Sequence, residues 1–213
     1  MQVEPRGTLR LSASVTFGQR ITVPRLSGFR ARYPAVTVEG LFSDSIIDLV
    51  ADRVDLAIRL APMIDGNYVV SKLMDTRYRV VAAPDCLRRS SRLEQPEDLA
   101  HHRAILFPYR DYRSRWIFRD AAGALTEQAV EGDLVPSPAG AIHYAALAGL
   151  GRVLLPDWLI SDEIEQGLLH ACIGGWDVTA TRFDTAAWLI YRSRSFLPAK
   201  VRAMIEFLRR SMA

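Results

Sequence analysis

Cysteine is scarce in this sequence: Cys86 and Cys172 are the only two among 213 residues. Two thiols set no disulfide framework, and without paired Cys or His spacing they form no zinc site. Both are expected to be reduced and buried. Nowhere does the chain hold the roughly eighteen unbroken apolar residues of a membrane-spanning helix. The opening Met1-Gln2-Val3-Glu4-Pro5 also lacks the basic start and apolar run of a secretory leader. A cytoplasmic protein without membrane contact is therefore expected. Lysine stands only at Lys72 and Lys200, so the positive charge is carried almost wholly by arginine.

Catalytic signatures are missing as well. No Gly-x-Ser-x-Gly elbow and no phosphate loop ending in Gly-Lys-Ser/Thr occurs. Gly149-Leu150-Gly151 lacks a third glycine and follows a helical pattern where a dinucleotide fingerprint follows a strand, so it reads as a turn. Of the four histidines, His101 and His102 are adjacent and point apart, which argues against a shared metal. His143 sits among small helical residues, where packing is favoured over a ligand contact, and His170 has no partner in view. Asp157, Asp162, Glu163 and Glu165 read as an acidic helix start that complements the helix dipole. The expectation is no enzyme, no catalytic residue, no metal and no cofactor.

What is present is the composition of a globular chain, 49% hydrophobic and 24% charged, long enough to bury a core. The net charge is +3 and the isoelectric point about 9.1. The arginines form two short clusters, Arg88, Arg89 and Arg92, and Arg110, Arg113, Arg115 and Arg119. Neither carries a helix-turn-helix or zinc-finger pattern, so both read as solvated surface.

From Thr8 to Val15, Leu9, Leu11, Ala13 and Val15 alternate with polar residues at the period of a strand. Leu26, Phe29 and Tyr33 then share a helical face, and Pro34 ends that helix. A strand follows over Val36–Phe42. Ser43 and Asp44 next offer N-caps to a short helix with Ile46, Leu49 and Val50 on one face, and Leu56–Arg59 completes a β-α-β-α-β run. Such alternation argues for a parallel sheet flanked by helices. After a strand at Tyr78–Ala83 the pattern changes at Pro84-Asp85, which marks a lobe boundary. Beyond it, Ala141–Leu150 reads as a helix with Ile142, Ala145 and Ala146 inward, ended by Gly149 or Gly151. A strand Val153–Leu155, a helix Asp157–Gln166, a strand Ala187–Tyr191 and an amphipathic helix from Pro198 follow, the last with Val201, Met204, Ile205 and Leu208 on one face.

In this order the elements carry Gly7-Thr8-Leu9-Arg10-Leu11-Ser12-Ala13, Phe29-Arg30-Ala31-Arg32-Tyr33-Pro34-Ala35-Val36, Asp48-Leu49-Val50, Asp55-Leu56-Ala57-Ile58-Arg59 and Ala82-Ala83-Pro84. Pro96-Glu97-Asp98-Leu99-Ala100-His101-His102, Ala148-Gly149-Leu150-Gly151 before Val153-Leu154-Leu155-Pro156, and Lys200-Val201-Arg202 complete the series. Nearly the whole chain thereby resembles the effector-binding domain of LysR-type transcriptional regulators. The resemblance implies an α/β, two-lobed periplasmic-binding-protein-like fold, each lobe a mostly parallel sheet flanked by helices, with two crossovers. Lobe I would comprise residues 1–83 and 185–213 and lobe II residues 84–184. It also implies a small-molecule effector between the lobes and a homodimer through the effector domain, with Val23 and Leu41 as candidates for the paired face. The winged helix-turn-helix and linker helix of the family are not found before Gly7, so DNA contact is expected only through an N-terminal domain absent from this chain.

Ligands of open α/β sheets bind at the C-terminal edges of the strands. Ser12, Ser14 and Thr16 mark that edge on the first strand, Ser43 and Asp44 on the second, and Arg59 on the third. Their hydroxyls, with helix-start N–H groups, favour an anion, most simply a carboxylate. Phe17 and Phe107 are candidates for an apolar wall, with core packing as the alternative for both, and Ser137 is a candidate across the cleft. The rival functions are an enzyme on the same fold and a solute-binding protein.

Overall fold

A computed structural model describes residues 4–45, 48–60, 68–91, 93–192 and 197–212. The chain opens with β1 (Gly7–Ala13) and α1 (Val15–Phe17), which passes through a wide π turn, Gly18–Thr22, into α2 (Val23–Arg32). The π turn ends two residues before Pro24, whose nitrogen has no hydrogen to donate back along the helix. Strands β2 (Val36–Phe42), β3 (Leu56–Arg59), β4 (Val69–Asp75) and β5 (Tyr78–Ala82) follow. Then come α3 (Pro84–Arg88), a 3-10 turn (Pro96–His101), β6 (Arg103–Ile105), α4 (Arg110–Arg113), β7 (Arg115–Arg119), β8 (Leu125–Ala129) and β9 (Glu131–Leu134). The chain ends with α5 (Ala139–Leu147), β10 (Arg152–Pro156), α6 (Asp157–Glu165), β11 (His170–Ala171), β12 (Asp177–Thr179), β13 (Ala186–Tyr191) and α7 (Ala199–Ser211).

These elements gather into two compact units, Met1–Asp75 with Asp184–Ala213, and Thr76–Phe183, so the chain passes between them twice. The passage falls before β5, earlier than the Pro84 boundary expected from sequence. The reason is pairing: β5 bonds to β10, β11 and β12, all in the second unit.

In the first unit the strand order is β2-β1-β3-β13-β4. β1 runs parallel to both β2 and β3, with Leu11 opposite Gly40 and Leu56. Its alternation buries Leu9, Leu11 and Ala13 completely, and Ser12 on the other face is equally buried, because the strand is central and covered on both sides. α7 buries Val201, Met204, Ile205 and Leu208, and its Phe207 meets Phe29 of α2 edge-on at 5.4 Å. The chain's two ends are further tied by Lys200, whose Nζ lies 2.7 Å from Asp55 Oδ2 and also donates to the Thr8 carbonyl.

The short helix expected after Asp44 is not seen in the described part. Ile46 lies outside the described residues, and Leu49–Arg53 forms turns in which Leu49 is buried and Val50 exposed. Asp48 decides this: its Oδ1 accepts from the Val50 and Ala51 amides at 2.7 and 3.2 Å, satisfying locally the donors a helix start leaves open.

The second unit departs from the parallel sheet expected for each lobe. Its order is β8-β7-β12-β5-β10-β6-β9, with β11 also on β5, and only the β10–β6 and β6–β9 pairs are parallel. Short turns replace crossover helices here. β7 and β8, for example, are joined across Asp120, whose carboxylate accepts from the Ala122 and Ala124 amides, and so close connections force antiparallel pairing. Adjacent residues of the sheet serve different cores, as the two-residue period requires. Val80 and Leu154 pack with Trp116 and Phe118 on one face, and Val81, Val153 and Leu155 pack with Ile142 and Ile160 on the other. α5 ends at Gly149, whose φ of +70° suits glycine.

Candidate functional site

At the C-terminal end of β1, the fully buried Ser12 accepts a hydrogen bond at Oγ from Arg59 Nη2 of β3, at 2.9 Å. Arg59 Nη1 bonds the Ile58 carbonyl at 2.8 Å, which fixes the guanidinium against the strand end. Burial lowers its pKa below the ordinary arginine value, an effect partly offset by the charge of Asp44; arginine nevertheless stays protonated in proteins. Asp44 follows β2, and its Oδ1 accepts from the Val15 amide at the start of α1, at 3.0 Å. Contacts thus link the ends of all three parallel strands.

The details differ from the simple anion cradle. Asp44 already occupies one helix-start N–H and brings a negative charge to the same edge. Ser14 stands at the N-cap position, yet its hydroxyl makes no capping bond, while Ser43 Oγ accepts from the Ser45 amide at 3.2 Å. Thr16 is buried, and Phe17 is wholly enclosed, the burial of a core side chain.

Phe107 and Ser137 belong to the second unit. Phe107 follows β6 and is half-buried in a trio of rings, 6.5 Å from Tyr109 and 5.5 Å from Tyr112. Tyr109 and Tyr112 were not singled out from the sequence, although the spacing Phe107-Pro108-Tyr109 and Tyr112 placed three aromatics within six positions. Tyr78 is joined to this group: burial first, then the Tyr112 hydroxyl, raises its pKa well above the usual tyrosine value. Ser137 is exposed in the loop before α5.

Elsewhere, charged clusters are paired. Arg88 meets Asp85, Arg115 meets Glu127 and Arg119 meets Asp177; Arg92 lies outside the described residues. The acidic first turn expected at Asp157, Asp162, Glu163 and Glu165 reduces to Asp157, and Glu163 lies further along α6. It is buried, and its Oε1 lies 3.2 Å from Nε2 of the equally buried His143, joining α6 to α5. His101 is exposed and His102 buried, so the adjacent rings do diverge. Neither cysteine is bonded to another, and both are half-buried rather than fully so. Among the described residues no three His, Cys, Asp or Glu side chains gather as a metal site, and no helix is long and apolar enough to cross a membrane.

The family model described as the LysR substrate binding domain matches residues 2–213. The chain belongs to that family. This LysR domain is 32% identical to the transcriptional regulator PtxR of Pseudomonas aeruginosa over 98% of its own length and 65% of PtxR. To the regulator DmlR of Escherichia coli it is 30% identical, over 98% of its length and 66% of that protein. The regulatory domain of CrgA from Neisseria meningitidis has the same fold, with a TM-score of 0.84 at 24% identity, covering 98% of this chain and 100% of that one. The LysR domain is accordingly the effector-binding domain of a LysR-type regulator, with the two-lobed periplasmic-binding-protein-like fold, and not an enzyme. It spans about two thirds of the length of these curated relatives.

Proposed function

We infer that this domain senses a small anionic metabolite, most simply a carboxylate, and that the whole cytoplasmic protein converts this binding into a change in transcription. The observation that carries the reading is the Arg59 guanidinium, half-buried and held by Ser12 at the edge where three parallel strands end. A desolvated cation beside free hydroxyl capacity at Ser14 favours an anion. Thr16, Ser43 and Asp44 complete the edge, and Phe107 and Ser137 are further candidates in the second unit. Phe17 is left out, because it is enclosed in the core.

DNA is contacted by a part of the protein other than this domain, and the functional unit is a homodimer. Val23 and Leu41 support the second point, since both are large apolar side chains exposed on the first unit, at 46% and 40%. The test is a thermal-shift screen of small carboxylates, aromatics and amino acids against the isolated chain. A ligand at a hundred times its Kd adds about 2.7 kcal/mol. Carboxylates are expected to lead the hits; a screen in which only uncharged compounds stabilise the chain contradicts the reading.

A further inference from the structure

Arg152, on β10, is only 3% exposed. Its Nη2 donates to Ser90 Oγ at 2.8 Å and to the Ser91 carbonyl at 3.2 Å, while its enclosed Nε has no hydrogen-bond partner. Both acceptors are neutral, and among the described residues no carboxylate lies within ion-pair distance of this guanidinium. Buried charges are ordinarily paired, because a lone one carries a desolvation cost of several kcal/mol. The charge of Arg152, which does not itself line a cavity wall, is therefore not cancelled by an ion pair among the described residues.

The two serines it holds line a cavity of ≈ 530 Å³ in the second unit, together with Leu87, Leu93, Cys172 and, at the solvent side, the exposed Glu94. That volume suits a small organic molecule. The charge of Arg152 reaches the cavity wall, since it lowers the pKa of the Cys172 thiol against the opposing effect of burial.

We propose that this cavity is a second ligand site, separate from the Arg59 edge, and that it takes a small monocarboxylate with a short apolar tail. Ser90 Oγ already donates to the Cys86 carbonyl at 2.7 Å, so the carboxylate takes its hydrogen bond from the Ser91 hydroxyl, where the Arg152 charge attracts it, and the tail packs on Leu87 and Leu93.

The experiment is an NMR titration of the full chain with sodium butyrate, with butyramide and sodium chloride as matched controls. Butyrate is expected to shift the amides of Ser90, Ser91, Cys172 and Gly174 saturably, whereas the controls do not. Ser91→Trp, which fills the cavity and leaves Arg152 in place, abolishes the response, and Arg152→Met weakens it at least tenfold. If Arg152→Met fails to fold, Ser91→Trp alone decides. Arg59→Gln leaves the response intact, which separates this site from the effector edge. An equal response to butyramide, no saturable shift, a response retained in Ser91→Trp or one lost in Arg59→Gln overturns the proposal.

Discussion

Arg59 and Ser12, 47 positions apart in sequence, meet at 2.9 Å where two parallel strands end. The bond holds the guanidinium at the sheet edge, and the neighbouring Ser14 hydroxyl is not consumed in capping. Ser14→Ala and Thr16→Ala are each expected to weaken the effector by about 0.5 to 3 kcal/mol, the range for single hydrogen bonds including charged ones. The melting temperature without effector should stay unchanged for Ser14→Ala, and isothermal titration reads the affinities.

Asp44 supplies a charge of the wrong sign for an anion at the same edge. Asp44→Asn keeps an oxygen acceptor for the Val15 amide and removes that charge. Affinity for an anionic effector should therefore rise, by about 1 kcal/mol or less as for exposed charge pairs. A fall in affinity, measured by the same titration, would point to Asp44 as a direct acceptor from the ligand.

The Cys172 thiol is pushed up from 9.0 to about 12, chiefly by burial. Because the thiolate is the nucleophile, iodoacetamide should modify Cys172 far more slowly in the native chain than in urea at pH 8. The sign for stability follows. The native thiol keeps its proton while the unfolded one ionises, so this contribution is complete below pH 9 and is lost as pH rises toward 12. Alkylation followed by mass spectrometry, and urea midpoints between pH 8 and 11, test both statements; equal native and unfolded alkylation rates would contradict the first.

His143 and Glu163 form a buried pair between α5 and α6. Removing Glu163 leaves the buried His143 imidazole without this contact, which costs about 1 to 3 kcal/mol, as for a buried polar group that loses its partner. Glu163→Ala should accordingly lower the urea midpoint far more than Glu165→Ala, whose side chain faces solvent. Similar midpoints for the two variants would show that the pair contributes little.

At Gly132, an added Cβ would fall inside the van der Waals radius of the Ala104 carbonyl oxygen on the neighbouring strand. Backbone cannot swing aside as a flexible side chain does, so Gly132→Ala should destabilise the second unit by about 1 to 3 kcal/mol. Unaltered unfolding would contradict the close approach of β9 to β6.

The first unit was largely legible in the sequence. Val36–Phe42 and the buried face of α7 were read correctly from their periods, and Leu56–Arg59 as a short apolar run between Asp55 and Arg59. The second unit was legible only in part: the strands at Tyr78–Ala83 and Val153–Leu155 and the helices at Ala141–Leu150 and Asp157–Gln166 are found there, but its other strands were not read. β6, β11 and β12 are three residues or fewer, too short for a period to show, and their antiparallel pairing depends on partners distant in sequence. At the site, the positions of Ser12, Ser14 and Arg59 followed from strand periodicity. The Asp44–Val15 bond did not, since it joins a loop to a helix start 29 residues away. Glu163 was misread because an acidic residue that faces solvent and one packed against a buried histidine share the same local pattern.

The most direct test of the central claim is the structure of the chain bound to the effector that the screen identifies. The account predicts that the ligand's anionic group lies within hydrogen-bonding distance of the Arg59 guanidinium or the Ser14 hydroxyl. An anionic group bound elsewhere, with Ser12, Ser14, Thr16 and Arg59 all free of the ligand, would contradict it.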